Sequence, residues 1–527
     1  MDRSAAMLGR VLGALPGARS AVGDRGRSPL AEYAASLAAP ARPGLQSRDD
    51  FLDAAAAEAG RLLGPDTARA VARTLDARPA ALTANHQGAD FLAQSVQGTL
   101  LTALPGLLGA EPGSAVPVLA CGAVPLGSFT YPRGVLLARR PAPEPGADPR
   151  DWPASLRVPL FPWKHRYTLV LAAPPLTRDM VARALAAARA LAADGRIGRA
   201  EAAALESILA HDFGDPGVLA LGGYSDQAAV LNARLWDRLF ASAEAGNGTR
   251  LAYLELERLA GRLLARDLAD PHALLHDVLL DPRLRRAALE ALDRAVGCWD
   301  LGRLAALAAG EGDGQGTDAL RGSGTAFFWG LDSKGRKVPL HLAEAGGRAW
   351  LRGRGLGGEA LEVELAPEPL AAALAGRRIV PGLFAAYGCL ALARGVRCLG
   401  GVYQADYLPA MRAGLAAALA AQGDAERAQA VAAAPAGEFA AGPEFLFARW
   451  PDGQVQAAGP VEILAGGGLT RALLEQAGSL SLEGALRAGL AELYAEFVPV
   501  AERDPDWLRA ASPVLGPDGP AMLDIPG

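Results

Sequence analysis

Short apolar runs with β-branched content, bounded by turns and followed by helix-period segments, constrain this chain more than any other feature. Residues 115–121 (AVPVLAC) and 134–138 (GVLLA) are such runs, and both fit buried strands. Residues 167–173 (YTLVLAA) are a third candidate, followed by Pro174-Pro175 and by a helix expected over 178–193. Strands alternating with helices point to a layered α/β architecture, in which helices cover the sheet. The expected fold is a layered α/β core with a large all-helical insertion and a smaller strand-containing C-terminal region.

The rest of the chain divides around that core. Residues 1–78 read as an N-terminal helical lead, with Asp49-Asp50 capping a helix that carries Phe51, Leu52, Ala55 and Ala56 on one face. Residues 79–197 form the first part of the core, including a helix expected over 88–108 and stopped by Pro105-Gly106. Residues 198–308 read as a helical insertion, periodic at Leu251, Leu254, Leu256, Leu259 and Leu263. A glycine-rich linker follows at 309–324. The second part of the core, 325–432, opens with a hairpin around Asp332-Ser333-Lys334-Gly335. Strands are expected near 350–352 and 361–365, then helices over 368–375, 381–394 and 408–422. The C-terminal region, 433–527, begins as a small-residue linker over 433–443 and continues as a hairpin over 445–455 and two helices.

Composition excludes several classes. Of the 527 residues, 51% are hydrophobic and 21% charged, which is ample for a buried core and rules out disorder as the main state. The net charge is −5 and the arginines are scattered among acids, so no basic stripe for nucleic acid is present. Of the 52 basic residues only Lys164, Lys334 and Lys337 are lysine, the mark of a GC-rich coding sequence. The four cysteines (121, 298, 389 and 398) have no CxxC spacing, which excludes a zinc ribbon or a thioredoxin-type motif and suits a reducing compartment. No stretch has the length and apolarity of a membrane span, and the apolar runs before Leu15 are broken by Arg3 and Arg10. A soluble cytoplasmic protein is expected, with no membrane or nucleic-acid partner.

The most unusual local sequence is Thr83-Ala84-Asn85-His86-Gln87-Gly88-Ala89-Asp90, placed where a helix is expected to begin. Unpaired N–H groups and the helix dipole there favour an anion, and His86 can exchange a proton with a ligand. Asp90, Gln94 and Gln97 would continue a polar stripe along the helix. A capped helix with a solvated face has the same pattern.

With the VPV run at 116–118, this segment resembles the N-terminal portion of the bacillithiol synthase (cysteine ligase) family over residues 82–121. That family carries a Thr-Gly-His/Gln-Gln motif before a helix. Here Asn85 stands as an extra residue between Thr83 and His86-Gln87, and the glycine spacing differs. The resemblance implies a Rossmann-like core with His86 and Gln87 at a ligand site.

Three further segments are candidates. In Gly127–Gly134, Arg133 has the fork geometry to clamp a carboxylate or phosphate, and Tyr131 can orient a substrate or act as an acid. In Cys398–Tyr407, paired glycines precede Tyr403, Gln404 and Asp406, without a GxGxxG fingerprint. His272 and His276 stand four apart, a spacing that suits two metal ligands on one helical face, but Ala273 replaces the glutamate of HExxH. The DFG at 212–214 has no accompanying kinase motif. The basic-aromatic run 163–167 frames a strand start, and Cys121, Cys389 and Cys398 read as core residues.

The sequence therefore predicts a ligase- or transferase-like enzyme on a carboxylate- or phosphate-bearing small molecule. His86, Tyr131 and Asp406 are the expected catalytic residues. Asn85, Gln87, Arg133, Tyr403 and Gln404 are the expected substrate-binding residues. No resident metal is expected, and a nucleotide with magnesium is a candidate cofactor. The alternatives are a non-catalytic scaffold using 198–308 and a metal-dependent hydrolase using His272 and His276.

Overall fold

The computed structural model describes residues 3–39, 44–109, 113–128, 134–140, 148–152, 155–309, 324–516 and 519–527. Its centre is a five-stranded sheet of β1 (Ala80–Leu82), β2 (Ala115–Ala120), β3 (Arg250–Glu255), β4 (Arg397–Gly401) and β5 (Phe439–Ala441). Every neighbouring pair is parallel, in the order β5-β4-β1-β2-β3. Read from the β3 edge, the strands run 3-2-1-4-5, so the direction of winding reverses between β1 and β4.

Both faces of this sheet are covered, because successive side chains of one strand point to opposite sides. Val116, Val118, Ala120, Leu251, Tyr253 and Leu399 enter one hydrophobic core. Leu119, Ala252, Leu254 and Cys398 enter the other. The first core takes Leu100, Leu101 and Leu104 of α1 (Ala93–Leu107) and Leu231, Leu235 and Trp236 of α2 (Tyr224–Arg238). The second takes Leu259, Leu263 and Leu264 of α3 (Leu256–Ala269) and Leu408, Met411 and Leu415 of α4 (Gln404–Ala421).

Several expectations hold: the strand at 115–120, the helix Arg178–Ala193, and the hairpin Phe328–Leu331/Lys337–Pro339. So do the antiparallel strands Arg348–Arg354 and Ala360–Glu364, and the later hairpin Leu446–Arg449/Val455–Ala457.

Others are corrected. Residues 198–308 are not all helical, since they contain β3, an inner element of both cores. Its RLAYLE run is apolar on both sides and so matches a helix and a two-faced strand equally. The small-residue stretch 433–443 contains β5. Gly134–Leu137 is a strand, but among the described residues it pairs with Leu156–Pro159, outside the main sheet. Residues 167–173 hold a short 3₁₀ turn, Val170–Ala172, in place of a strand. α1 starts at Ala93, not near 88, and runs through Pro105. Most of the glycine-rich linker lies outside the described residues.

Candidate functional site

The carboxyl ends of β1 and β4, where the winding reverses, are where a parallel sheet opens a crevice for a ligand. Thr83 follows β1 and Gln404 follows β4, and the two side chains close the gap. Gln404 Nε2 donates to Thr83 Oγ1 at 2.9 Å and to the Cys398 carbonyl at 3.0 Å. Its Oε1 accepts from the hydroxyls of Tyr387 at 2.8 Å and Tyr407 at 3.0 Å. Gly400 is required beside it, because a Cβ there would stand 2.2 Å from Gln404 Cβ.

Next to this brace, the pairing of β1 and β2 is extended by a parallel bridge between His86 and Cys121. Cys121 N donates to Asn85 O at 2.9 Å and Gln87 N to Cys121 O at 2.7 Å. Bridge partners project to the same side, so His86 and Cys121 are neighbours. The Cys121 thiol donates to Glu257 Oε1 at 3.1 Å. Glu257 opens α3 and also accepts from Gly122 N at 2.7 Å and Ala123 N at 2.9 Å. Lys337, from the Phe328–Pro339 hairpin, has its Nζ 4.6 Å from the centroid of the Trp329 ring, and its charge acts on His86 and Cys121.

The electrostatics follow from burial. Loss of water pushes His86 down to about 4, and the nearby Lys337 charge acts in the same direction. The imidazole is therefore neutral at pH 7. Burial, and after it the Glu257 carboxylate, pushes the Cys121 thiol well up, so it rests protonated. Burial also lowers Lys337, against the opposing pull of Cys121 and Glu257. The arrangement brings together a neutral imidazole, a thiol bonded to a carboxylate, and an amine biased toward its neutral form. Such a set can move protons.

At the end of β3, Glu255 accepts from Arg377 at 2.5 Å and from the Ser225 hydroxyl at 2.5 Å. Arg377 has a φ of 52°, left-handed backbone that costs about 1–3 kcal/mol for a non-glycine residue. Its anchoring to Glu255 and to the Leu171 carbonyl at 2.9 Å compensates.

Of the residues expected from sequence, His86 and Gln404 lie at this edge. Asn85 and Gln87, on either side of His86, turn to the opposite face. Asn85 Nδ2 donates to Thr99 Oγ1 at 3.0 Å and to the hydroxyl of Tyr253, which donates to Asp90. Gln87 Nε2 donates to Ser225 O at 2.8 Å. Asp90 N and Gly88 O are both bonded to Asn232, so this loop is fastened to α2. Residues 85–87 thus do not form a helix N-terminus. Gln97 is buried and bonded to the backbone at Phe445, Leu446 and Ala458.

Asp406 Oδ1 accepts from Gly17 N at 2.7 Å and holds the N-terminal helices, not the Gln404 group. Tyr403 is exposed and lies against Tyr407 and Phe497. Tyr131 and Arg133 lie outside the described residues. His272 precedes the helix Leu274–Leu280, so it shares no helical face with His276, which pairs with Asp277 at 3.2 Å. Among the described residues, no three His, Cys, Asp or Glu side chains gather as metal ligands, and no helix is long and apolar enough to cross a membrane.

Sequence reasoning misses Cys121, Glu257 and Lys337 as members of a site. Glu257 is hidden because β3 looks helical. Lys337 carries one usable signal, its rarity. No protein-family model, curated protein or solved structure matches this chain.

Proposed function

We propose that this chain is a cytoplasmic small-molecule enzyme of the transferase or ligase type, acting on a carboxylate- or phosphate-bearing substrate at the carboxyl edge of its sheet. The observation that carries the reading is the His86–Cys121 bridge, with the Cys121 thiol bonded to Glu257, beside the Thr83–Gln404 brace. A Rossmann-like core is part of the proposal. Its support is the strand order 3-2-1-4-5 with helices on both faces, and a polar cluster where such sheets bind ligands. Of the two residues that the bacillithiol synthase resemblance implies at a ligand site, His86 is in the cluster, while Gln87 supports the loop behind it. The cytoplasmic assignment is supported by four cysteines that are all unpaired.

A thermal-shift screen tests the reading. Nucleotides with and without magnesium, amino acids, sugar phosphates and simple carboxylates are the ligands. One at 100 times its Kd adds about 2.7 kcal/mol to stability. The expected result is stabilisation by one anionic class, lost in Lys337→Gln. Failure of every anion to stabilise overturns the small-molecule reading in favour of a non-catalytic protein that uses the helices of 198–308 to bind a partner.

A further inference from the structure

The amino end of the central sheet carries a cleft that the candidate site does not use. It is open to solvent and takes in about 480 Å³ between the starts of β1 and β2, the helix Leu30–Leu37, the end of the helix Pro65–Ala77 and α1. β2 has six residues, so at about 3.3 Å per residue the cleft lies roughly 20 Å from Cys121, at the other end of the strand.

The floor of the cleft is apolar, lined by the buried side chains of Leu37, Ala103, Val116 and Leu399. The mouth is polar, lined by Thr74, Arg78, Thr102 and Ser114, which are half-buried, as is Ala38 beside them. No acidic side chain among the described residues lines it. An apolar pocket with a few placed polar groups is the usual form of a small-molecule site.

The walls are fixed by bonds of their own. Arg397, on β4, donates to Ser36 O at 3.1 Å and to Leu37 O at 3.3 Å, which holds the end of the helix Leu30–Leu37. Tyr33 of that helix donates to Phe439 O at 2.6 Å. On the other wall Thr74 Oγ1 accepts from Ala115 N at 3.0 Å, which leaves its proton to donate. Arg78 N donates to Thr74 O at 2.9 Å, so the two residues sit one turn apart at the mouth.

A second observation points to an occupant. A Cβ at Gly106, on the wall of the cleft, would stand 2.5 Å from Ser114 Oγ and 3.1 Å from Thr249 Oγ1. The glycine thus leaves a notch on which two hydroxyls converge. Thr249 is 4% exposed, and its Oγ1 has no hydrogen-bond partner among the described residues. An unpaired buried hydroxyl is costly, so the notch favours a polar atom of a ligand.

We infer that this cleft is a second binding site, which takes a short aliphatic carboxylate with its hydrocarbon on the floor and its carboxylate at the mouth. Arg78 supplies the positive charge, and the Thr74 and Ser114 hydroxyls donate to the carboxylate oxygens. The apolar floor disfavours a fully polar anion such as phosphate, because nothing there offsets its removal from water. The cleft shares no residue with the carboxyl edge, so the two sites are tested apart.

Isovalerate is titrated into the full-length protein and followed by ligand-detected NMR, with isoamyl alcohol as an uncharged ligand of the same shape. The expected result is saturable binding of isovalerate, about tenfold tighter than that of the alcohol. Ala38→Phe, which places a ring in the mouth from a half-buried position, should abolish it. Arg78→Met should weaken it about tenfold. His86→Gln should leave it unchanged, since His86 lies beyond the other end of β1. Melting curves confirm that each variant is folded. Absence of saturable binding to wild type, or full binding by Ala38→Phe, overturns the cleft as a site. Loss in His86→Gln with retention in Ala38→Phe places the carboxylate at the carboxyl edge and overturns it equally. Equal affinity for acid and alcohol, or unchanged affinity in Arg78→Met, overturns the carboxylate as the ligand class.

Discussion

His86 and Cys121 face each other across a parallel bridge just beyond the ends of β1 and β2. The two backbone bonds of that bridge set the two residues side by side, and the Cys121 thiol donates to Glu257 at 3.1 Å.

His86 makes stability depend on acid. Its folded value, about 4, lies below its ordinary 6.5, so the unfolded chain binds more protons between these limits. The stabilisation is complete above pH 6.5 and is lost as pH falls toward 4. Its upper bound is about 3 kcal/mol, because each tenfold change in proton affinity is worth about 1.4 kcal/mol and the ring is partly open to water. Glu462, pushed up to about 7 by burial, acts in the opposite sense, losing stability as pH rises from 4.5 to 7. Urea unfolding of wild type and His86→Gln from pH 4 to 7.5 isolates the first effect. The stability of wild type relative to His86→Gln should fall by up to about 3 kcal/mol as pH drops from 6.5 to 4.

Cys121 should alkylate slowly in the wild type, because its thiol is held protonated. In Glu257→Gln the negative charge beside it is gone while an oxygen remains for Gly122 N or Ala123 N. The thiolate fraction, and with it the alkylation rate, should rise, while burial still holds the thiol above its ordinary range. Iodoacetamide kinetics followed peptide by peptide at pH 8 give the rate. An unchanged rate would show that Glu257 does not control the thiol.

Gly400→Ala should lower stability and disorder the brace. The new Cβ would overlap Gln404, forcing its amide away from Thr83, Tyr387 and Tyr407. Overpacking costs about 1–3 kcal/mol, and each buried group left without a partner costs about as much again. Gln404→Leu removes the same bonds without the clash. Chemical denaturation should rank both below wild type, with Gly400→Ala the lower.

Arg394→Met tests a structural charge far from the site. The Arg394 guanidinium is buried and pairs with Asp50 at 2.6 Å and Asp267 at 2.7 Å, and it donates to Cys389 O at 3.1 Å. Removing it leaves Asp267 buried without its counter-charge, at a cost of about 3–5 kcal/mol. The denaturation midpoint should fall accordingly, while the Cys121 alkylation rate of the folded protein stays unchanged.

Much of the layering was legible from residues. The run at 115–120 was readable because β-branched residues flanked by turns admit few other conformations. The Asp332–Gly335 turn was readable because its residues suit a hairpin. β3 was not, since Leu251, Ala252, Tyr253 and Leu254 are buried on both faces and such a run has no period to distinguish strand from helix.

The sequence alone determined an α/β chain, the unusual polar segment around His86, and the scarcity of lysine. The tertiary structure decided which of those residues meet. Asn85, His86 and Gln87 are adjacent in sequence, but extended backbone sends alternate side chains to opposite sides. His86 goes to Cys121, while Asn85 and Gln87 go to Tyr253 and Ser225. Glu257 reaches Cys121 only because β3, which leads into its helix, lies beside β2, and Lys337 comes in on the later hairpin, whose Trp329 packs on Ala123 and Leu171. Those contacts depend on burying apolar surface between distant segments, and no local pattern in the chain encodes them.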